Sequence, residues 1–147
     1  MKFPQLNLPA FEIKIKDNLI WDRLRKKFVR LTPEEWVRQH LINYLIEHLQ
    51  YPAGRTVSEF TVEYNNMKKR CDILIFDEKG LPFLVAECKA PEIKINQDTF
   101  YQAARYASSL KIKWIVLSNG NDHYCAEINQ TDGQLNFQKE IPAFKKY

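Results

Sequence analysis

A chain of 147 residues is long enough for one domain with a real hydrophobic core, needing neither disulfide nor metal to hold it. Its 45% hydrophobic and 27% charged residues match an ordinary soluble globular protein, and no apolar run approaches a membrane span, so no membrane partner is expected. The net charge of +4 and pI near 8.9 are compatible with a polyanionic partner without demanding one.

The opening residues Met1 to Asn7 lack a hydrophobic signal core, so secretion is not expected. Cys71, Cys88 and Cys125 are odd in number and lack metal-ligand spacing, which reads as reduced, buried thiols in a cytoplasmic protein.

Alternation predicts a strand over Phe11–Lys16, a turn at Asp17-Asn18, and an extended run from Leu19 to Leu31. Arg23, Arg25 and Lys27 fall at period two in that run. They read as a solvated strand face, with a phosphate-tracking stripe as the alternative. Thr32-Pro33-Glu34-Glu35 then starts a helix: threonine as N-cap, proline at the first position, Glu35 where a capping box places its carboxylate. Val37, Leu41, Tyr44, Leu45 and Leu49 form its apolar stripe, and Tyr51-Pro52-Ala53-Gly54 stops it.

Strands are predicted over Val57–Tyr64, Arg70–Phe76 and Leu81–Lys89, separated by turns at Asn65-Asn66 and Asp77–Gly80. A second helix begins near Asn96 or Asp98 and runs to about Leu110, with Ala103, Ala104 and Ala107 allowing close approach to a sheet. Trp114–Leu117 and His123–Ile128 read as strands about an Asn119-Gly120 turn, and the tail adds one further strand after Thr131–Gly133. The order predicts a mixed β-sheet flanked by α-helices, in the α/β or α+β class. One domain is expected over residues 1–147, a strand-rich extension (1–31) preceding a core at about 32–128.

The chemistry concentrates in two apolar strands that carry acids. Asp72 interrupts Cys71–Phe76, and Glu87-Cys88-Lys89 ends Phe83–Lys89. Charges rarely enter buried strands unless paired or bound to a metal. Glu87 and Lys89 are two apart, so on a strand they leave the same face, and an antiparallel neighbour brings Asp72 towards it. Asp72, Glu87 and the Cys88 backbone carbonyl are the oxygen donors a hard divalent cation accepts, Mg2+ or Mn2+. Lys89 then stands beside a polarised water and a scissile phosphate. The competing reading is a buried ion-pair cluster. His40, His48 and His123 lack zinc spacing, and Trp21, Trp36 and Trp114 read as packing residues with no pattern for base readout.

Asp72 and Glu87-Cys88-Lys89, followed by Gln102-Ala-Ala-Arg-Tyr106, resemble the PD-(D/E)XK nuclease superfamily. More narrowly, they resemble the N-terminal nuclease domain of type I restriction enzyme R subunits. Thr32–Gln39 and Lys68–Leu74 are also similar to that group. The likeness covers roughly residues 30 to 126.

It implies a restriction-endonuclease-like fold and Mg2+-dependent DNA cleavage, with Asp72 and Glu87 on the metal, Lys89 serving the attacking water and Gln102 assisting. Tyr106 shares a helix face with Gln102, and the pair lines the cleft or braces the catalytic lysine. Family members carry a supporting acid on the first helix. Glu34 and Glu35 compete for it, with Glu34 favoured because the capping box occupies Glu35. Arg70 and Arg105 are candidate DNA contacts.

Cys71 stands where the motif has proline. With four glycines and no phosphate loop, this chain carries no translocating motor, so motor or specificity subunits are expected as partners beside DNA. The second reading is a non-catalytic nucleic-acid-binding or assembly module retaining the fold.

Overall fold

The computed structural model describes residues 3–145. Met1, Lys2, Lys146 and Tyr147, which the one-domain expectation includes, lie outside the described residues. The N-terminal strand is shorter than predicted: β1 (Ile15–Lys16) pairs with β2 (Leu19–Asp22) across Asp17, whose φ is 55°. The expected continuous run to Leu31 is broken at Asp22. Its carboxylate accepts the N–H groups of Leu24 (2.9 Å) and Arg25 (3.2 Å), Lys26 turns left-handed (φ 54°), and β3 (Lys27–Arg30) returns antiparallel.

The three-charge stripe therefore does not form. Arg23 donates to Asn43 (2.9 Å) and Glu47 (2.8 Å), Arg25 donates to Asp22 (2.5 Å), and only Lys27 is exposed on a strand. Asp22 is fully buried. Burial pushes its carboxyl up, yet hydrogen bonds from Arg25, Leu24 and Ser58 outweigh that and hold it below the ordinary value. Through Ser58 Oγ, 3.0 Å away, it fastens the small sheet to the main one.

Helix α1 (Pro33–Asn43) starts where the sequence places it, Thr32 Oγ1 accepting the Glu35 N–H at 3.0 Å. Only that half of the capping box forms, because the Glu35 carboxylate turns inward to Gln39 Nε2 (2.9 Å). Thr32→Ala should cost about 1 kcal/mol of stability in urea unfolding. Val37, Leu41, Ile42 and Leu45 are fully buried. After Asn43 the helix widens into a π-type turn, Tyr44–His48, and ends at Gln50 (φ 66°).

The main sheet contains β4 (Thr56–Tyr64), β5 (Met67–Phe76), β6 (Pro82–Cys88), β7 (Trp114–Ser118), β8 (His123–Ile128) and β9 (Leu135–Gln138), in that spatial order. Neighbours are antiparallel except β6 and β7, which are parallel and joined through α2 (Gln97–Ser109). β5 starts at Met67 rather than Arg70, because Asn65 and Asn66 are both left-handed (φ 49° and 64°) and pair Tyr64 directly with Met67. The tail strand forms as β9, so the sheet extends past residue 128.

Two helices and one sheet make three layers. Ile73, Ile75, Leu84, Ala86 and Cys88 pack with Val37, Leu41 and Ile42 of α1 and with Leu45 of the turn that follows it. On the other face, Leu74, Val85, Ile115 and Leu117 meet Phe100, Ala104 and Ala107 of α2. Such a sandwich buries both sheet faces, which is why its middle strands read as near-continuous apolar runs. It is the mixed α+β, restriction-endonuclease-like architecture the sequence implied.

Candidate active site

Strict alternation would send Cys71 and Leu74 to opposite faces. Both lie in the α2-side core, whereas Ile73 lies in the α1-side core. On β4, Val57 and Val62 likewise share the α2 side although five residues apart. The reversal falls at Asp72 and Glu59, which would face each other but do not pair, and Glu59 has φ 56°. A side chain at such a break is freed from either core. Both carboxylates reach Arg38 of α1.

Arg38, with a side chain 7% exposed, donates through Nη1 to Glu59. Its Nη2 lies 3.6 Å from Asp72 Oδ1, and its Nε 3.6 Å from Glu35 Oε2. Burial works against its charge, but Glu35, Glu59 and Asp72 together raise its pKa above the ordinary value. Glu59 also meets Arg70, and despite burial the two guanidiniums hold its carboxyl low.

Asp72 Oδ2 accepts the Cys88 N–H at 2.7 Å, a bond that draws β5 against the end of β6. The peptide of Cys88 thus touches Asp72 through its N–H. Glu87, on β6, stands close enough to Asp72 for strong repulsion. Burial first, then the Asp72 charge, push the Glu87 carboxyl up to about 8, with Lys69 and Lys89 pulling the other way. Lys69 Nζ lies 3.7 Å from Glu87 Oε1 and 5.3 Å from the centre of the Tyr106 ring.

Lys89 follows β6 directly. Its N–H bonds Ser118 O at 2.8 Å, and its half-buried side chain acts on both Glu87 and Glu34. Glu34 and Glu35 have parted: Glu35 is buried against Gln39, Arg25 and Arg38, a structural position. Glu34 is exposed on the first turn of α1. Burial and the charge of Asp72 raise its carboxyl, against Lys89 and Arg38. Of the two, Glu34 is the one left without a structural partner among the described residues and the one whose carboxyl feels the Asp72 charge.

The structure brings together Asp72, Glu87, Lys89 and Glu34, with Tyr106 joined through Lys69. Gln102 is exposed beside Met67, Asp98, Arg105 and Tyr106, and among the described residues no hydrogen bond joins it to either carboxylate. Arg105 is exposed there too, and Arg70, 70% exposed, is engaged with Glu59.

Over residues 33–142 the sequence matches the family described as the type I restriction enzyme R protein N terminus. The chain belongs to that family. Among solved structures it is similar to a fragment described as the HsdR subunit of a type I restriction enzyme from Vibrio vulnificus YJ016, with 20% identity and a TM-score of 0.53. The likeness covers 77% of this chain and 24% of that one, so the chain spans about a quarter of that relative, and it speaks for the fold. No curated protein matches.

In this R-protein N-terminal domain the donor chemistry suits a hard cation. Asp72 and Glu87 offer two carboxylates, and Mg2+ typically takes one or two, filling the rest with water and substrate oxygen. The neighbouring thiols are poor ligands. Burial pushes Cys71 up to about 12 and Cys88 well above the ordinary thiol value. Among the described residues no group of three or more His, Cys, Asp or Glu side chains is placed to hold a metal ion by itself.

Sequence reading passed over Arg38, Glu59 and Lys69. Arg38 carried a signal, sharing a helix face with Ile42 and Leu45, four and seven positions on, so it had to point inward. Val57 followed by Phe60 and Val62 also announced a break in alternation at Glu59. Lys69 carried none, since only the register sets it opposite Tyr106.

Proposed function

We propose that this domain is a Mg2+-dependent DNA endonuclease of the PD-(D/E)XK kind, hydrolysing phosphodiester bonds. The observation that carries the reading is the meeting of Asp72 and Glu87 from adjacent antiparallel strands, close enough to raise Glu87, with Lys89 two residues on. Repelling carboxylates on neighbouring inner strands are costly unless a cation joins them.

Asp72 and Glu87 would hold Mg2+ or Mn2+, which would supply a Lewis acid for the phosphodiester and a more acidic water. Lys89, with no salt bridge among the described residues, holds the negative charge that grows on the phosphoryl oxygens. Glu34 guides the water from the mouth of the site. Gln102, Arg70 and Arg105 contact the DNA flanking the cut. Motor and specificity functions belong to other parts of a cytoplasmic restriction system.

One observation favours the second reading, a DNA-binding or assembly module without catalysis: Asp72 and Glu87 each already have a cation within 4 Å, Arg38 and Lys69. Supercoiled plasmid incubated with Mg2+ or with EDTA separates the two. The nuclease reading expects cutting only with Mg2+ and at least about a hundredfold loss in Lys89→Ala. Equal cutting by both proteins overturns it. Salt-sensitive DNA binding without any cutting establishes the second reading.

A further inference from the structure

Lys69 has no part in the reaction as described so far, yet its placement is unusual. It rises from β5 on the α2 side, 3.7 Å from Glu87, and lies over the face of Tyr106 at 5.3 Å. Lys68, next to it, leaves the opposite face of the strand, is exposed, and pairs in register with Glu63. The Lys69 side chain is one-third exposed, so its ion pair with Glu87 is loosely held and easily exchanged. Tyr106 supplies a second hold that survives loss of the first, because ring and ammonium attract without a carboxylate. Such a lysine can leave Glu87 without leaving the cleft.

We propose that Lys69 is a substrate-binding residue of this site. It stands in for the divalent cation on Glu87 while no cation is bound, and takes up a DNA phosphate next to the cut once the cation displaces it. The inference rests on the nuclease reading and adds to it a second phosphate-binding cation and a task for Tyr106. Two positive charges compete for one carboxylate. The divalent ion, bound also by Asp72, wins, and the freed ammonium stays over Tyr106 within reach of the backbone of the strand. The sequence left Tyr106 either to line the cleft or to brace the catalytic lysine; the lysine that lies over its ring is Lys69.

Competition and substrate binding leave opposite marks on one variant. In Lys69→Gln, the affinity for Mn2+ alone, measured by titration calorimetry on the alkaline side of about pH 8, where the Glu87 carboxyl has released its proton, should rise about two- to fivefold, because a competitor has gone. Binding of a short DNA duplex in Ca2+ should weaken, and its log–log salt slope should flatten by about one charge. Lys69→Arg should keep the salt slope, and Lys68→Gln should leave the Mn2+ affinity unchanged. A merely structural lysine would weaken Mn2+ binding or leave it unchanged, and either result overturns the proposal, as does an unaltered salt slope. If the parent cuts plasmid and binds Mn2+ but Lys69→Gln changes neither measurement, only the Lys69 role falls. If the parent neither binds Mn2+ nor cuts, the nuclease reading falls and takes this one with it.

Discussion

Arg38→Met is expected to destabilise the domain by roughly 3 kcal/mol or more, because removing one partner of a buried charge cluster strands the others. Methionine keeps the aliphatic volume, so packing against Ile42 and Leu45 is largely preserved and the loss reports the charge. Three carboxylates lose their partner at once: Glu35, Glu59 and Asp72. Glu59 keeps Arg70, Glu35 keeps Arg25 and Gln39, and Asp72 keeps only the neutral Cys88 N–H, so Asp72 bears most of the cost. For a domain of this size the melting temperature should fall by about 10 °C. Arg38→Lys restores the charge but not the planar fork that reaches three acids, and should recover only part of the loss. Arg70→Gln, at an exposed pair, should stay within about 1 kcal/mol of the parent. Scanning calorimetry of the three variants decides it; if Arg38→Met melts within a degree or two of the parent, the cluster is not what holds the two strands at their break.

The reading of the sequence succeeded wherever one local rule governed the outcome. Thr32 is the expected cap, the second helix starts after Asn96, one of its two expected starts, and the two asparagines at 65 and 66 make the expected turn. It failed where a side chain redirected the backbone over a distance. Asp22 looks like one more strand residue. Only when buried beside Ser58 and Arg25 does it convert the run from Leu19 to Leu31 into a hairpin. Asp72 and Glu87-Cys88-Lys89 were visible because charge in apolar strands is a departure from pattern. Their supports were not. Lys69 is an ordinary residue on an ordinary strand. The signals at Arg38 and Glu59 mark a departure from pattern without saying which charges they meet; that comes from the register of β4 against β5 and the seating of α1 and α2. Gln102 shows the converse: its spacing from Tyr106 placed both on one face of α2, but helix periodicity cannot say how far that face stands from the acids.

Glu87 sets the second large expectation, a stability that falls as the solution becomes alkaline in the absence of divalent cations. Burial and the charge of Asp72 raise its carboxyl from the ordinary 4.5 to about 8. The folded chain thus holds a proton there that the unfolded chain has already released. This contribution is complete below about pH 4.5 and is lost as pH rises through about 8. With the side chain only partly exposed, the loss should be on the order of 3 kcal/mol. Glu87→Gln cannot ionise. Measured by urea unfolding in EDTA, it should gain on the parent steadily across that window and exceed it at the alkaline end. Curves that run parallel across the whole range would sink the idea. Adding Mg2+ should restore the parent at alkaline pH and leave Glu87→Gln nearly unmoved, because a divalent ion relieves the same repulsion that the proton relieves. Below pH 8 cation binding must expel that proton. The heat of Mg2+ binding should then vary with the ionisation heat of the buffer near neutrality and cease to vary near pH 9, a signature that an ordinary surface carboxylate would not give.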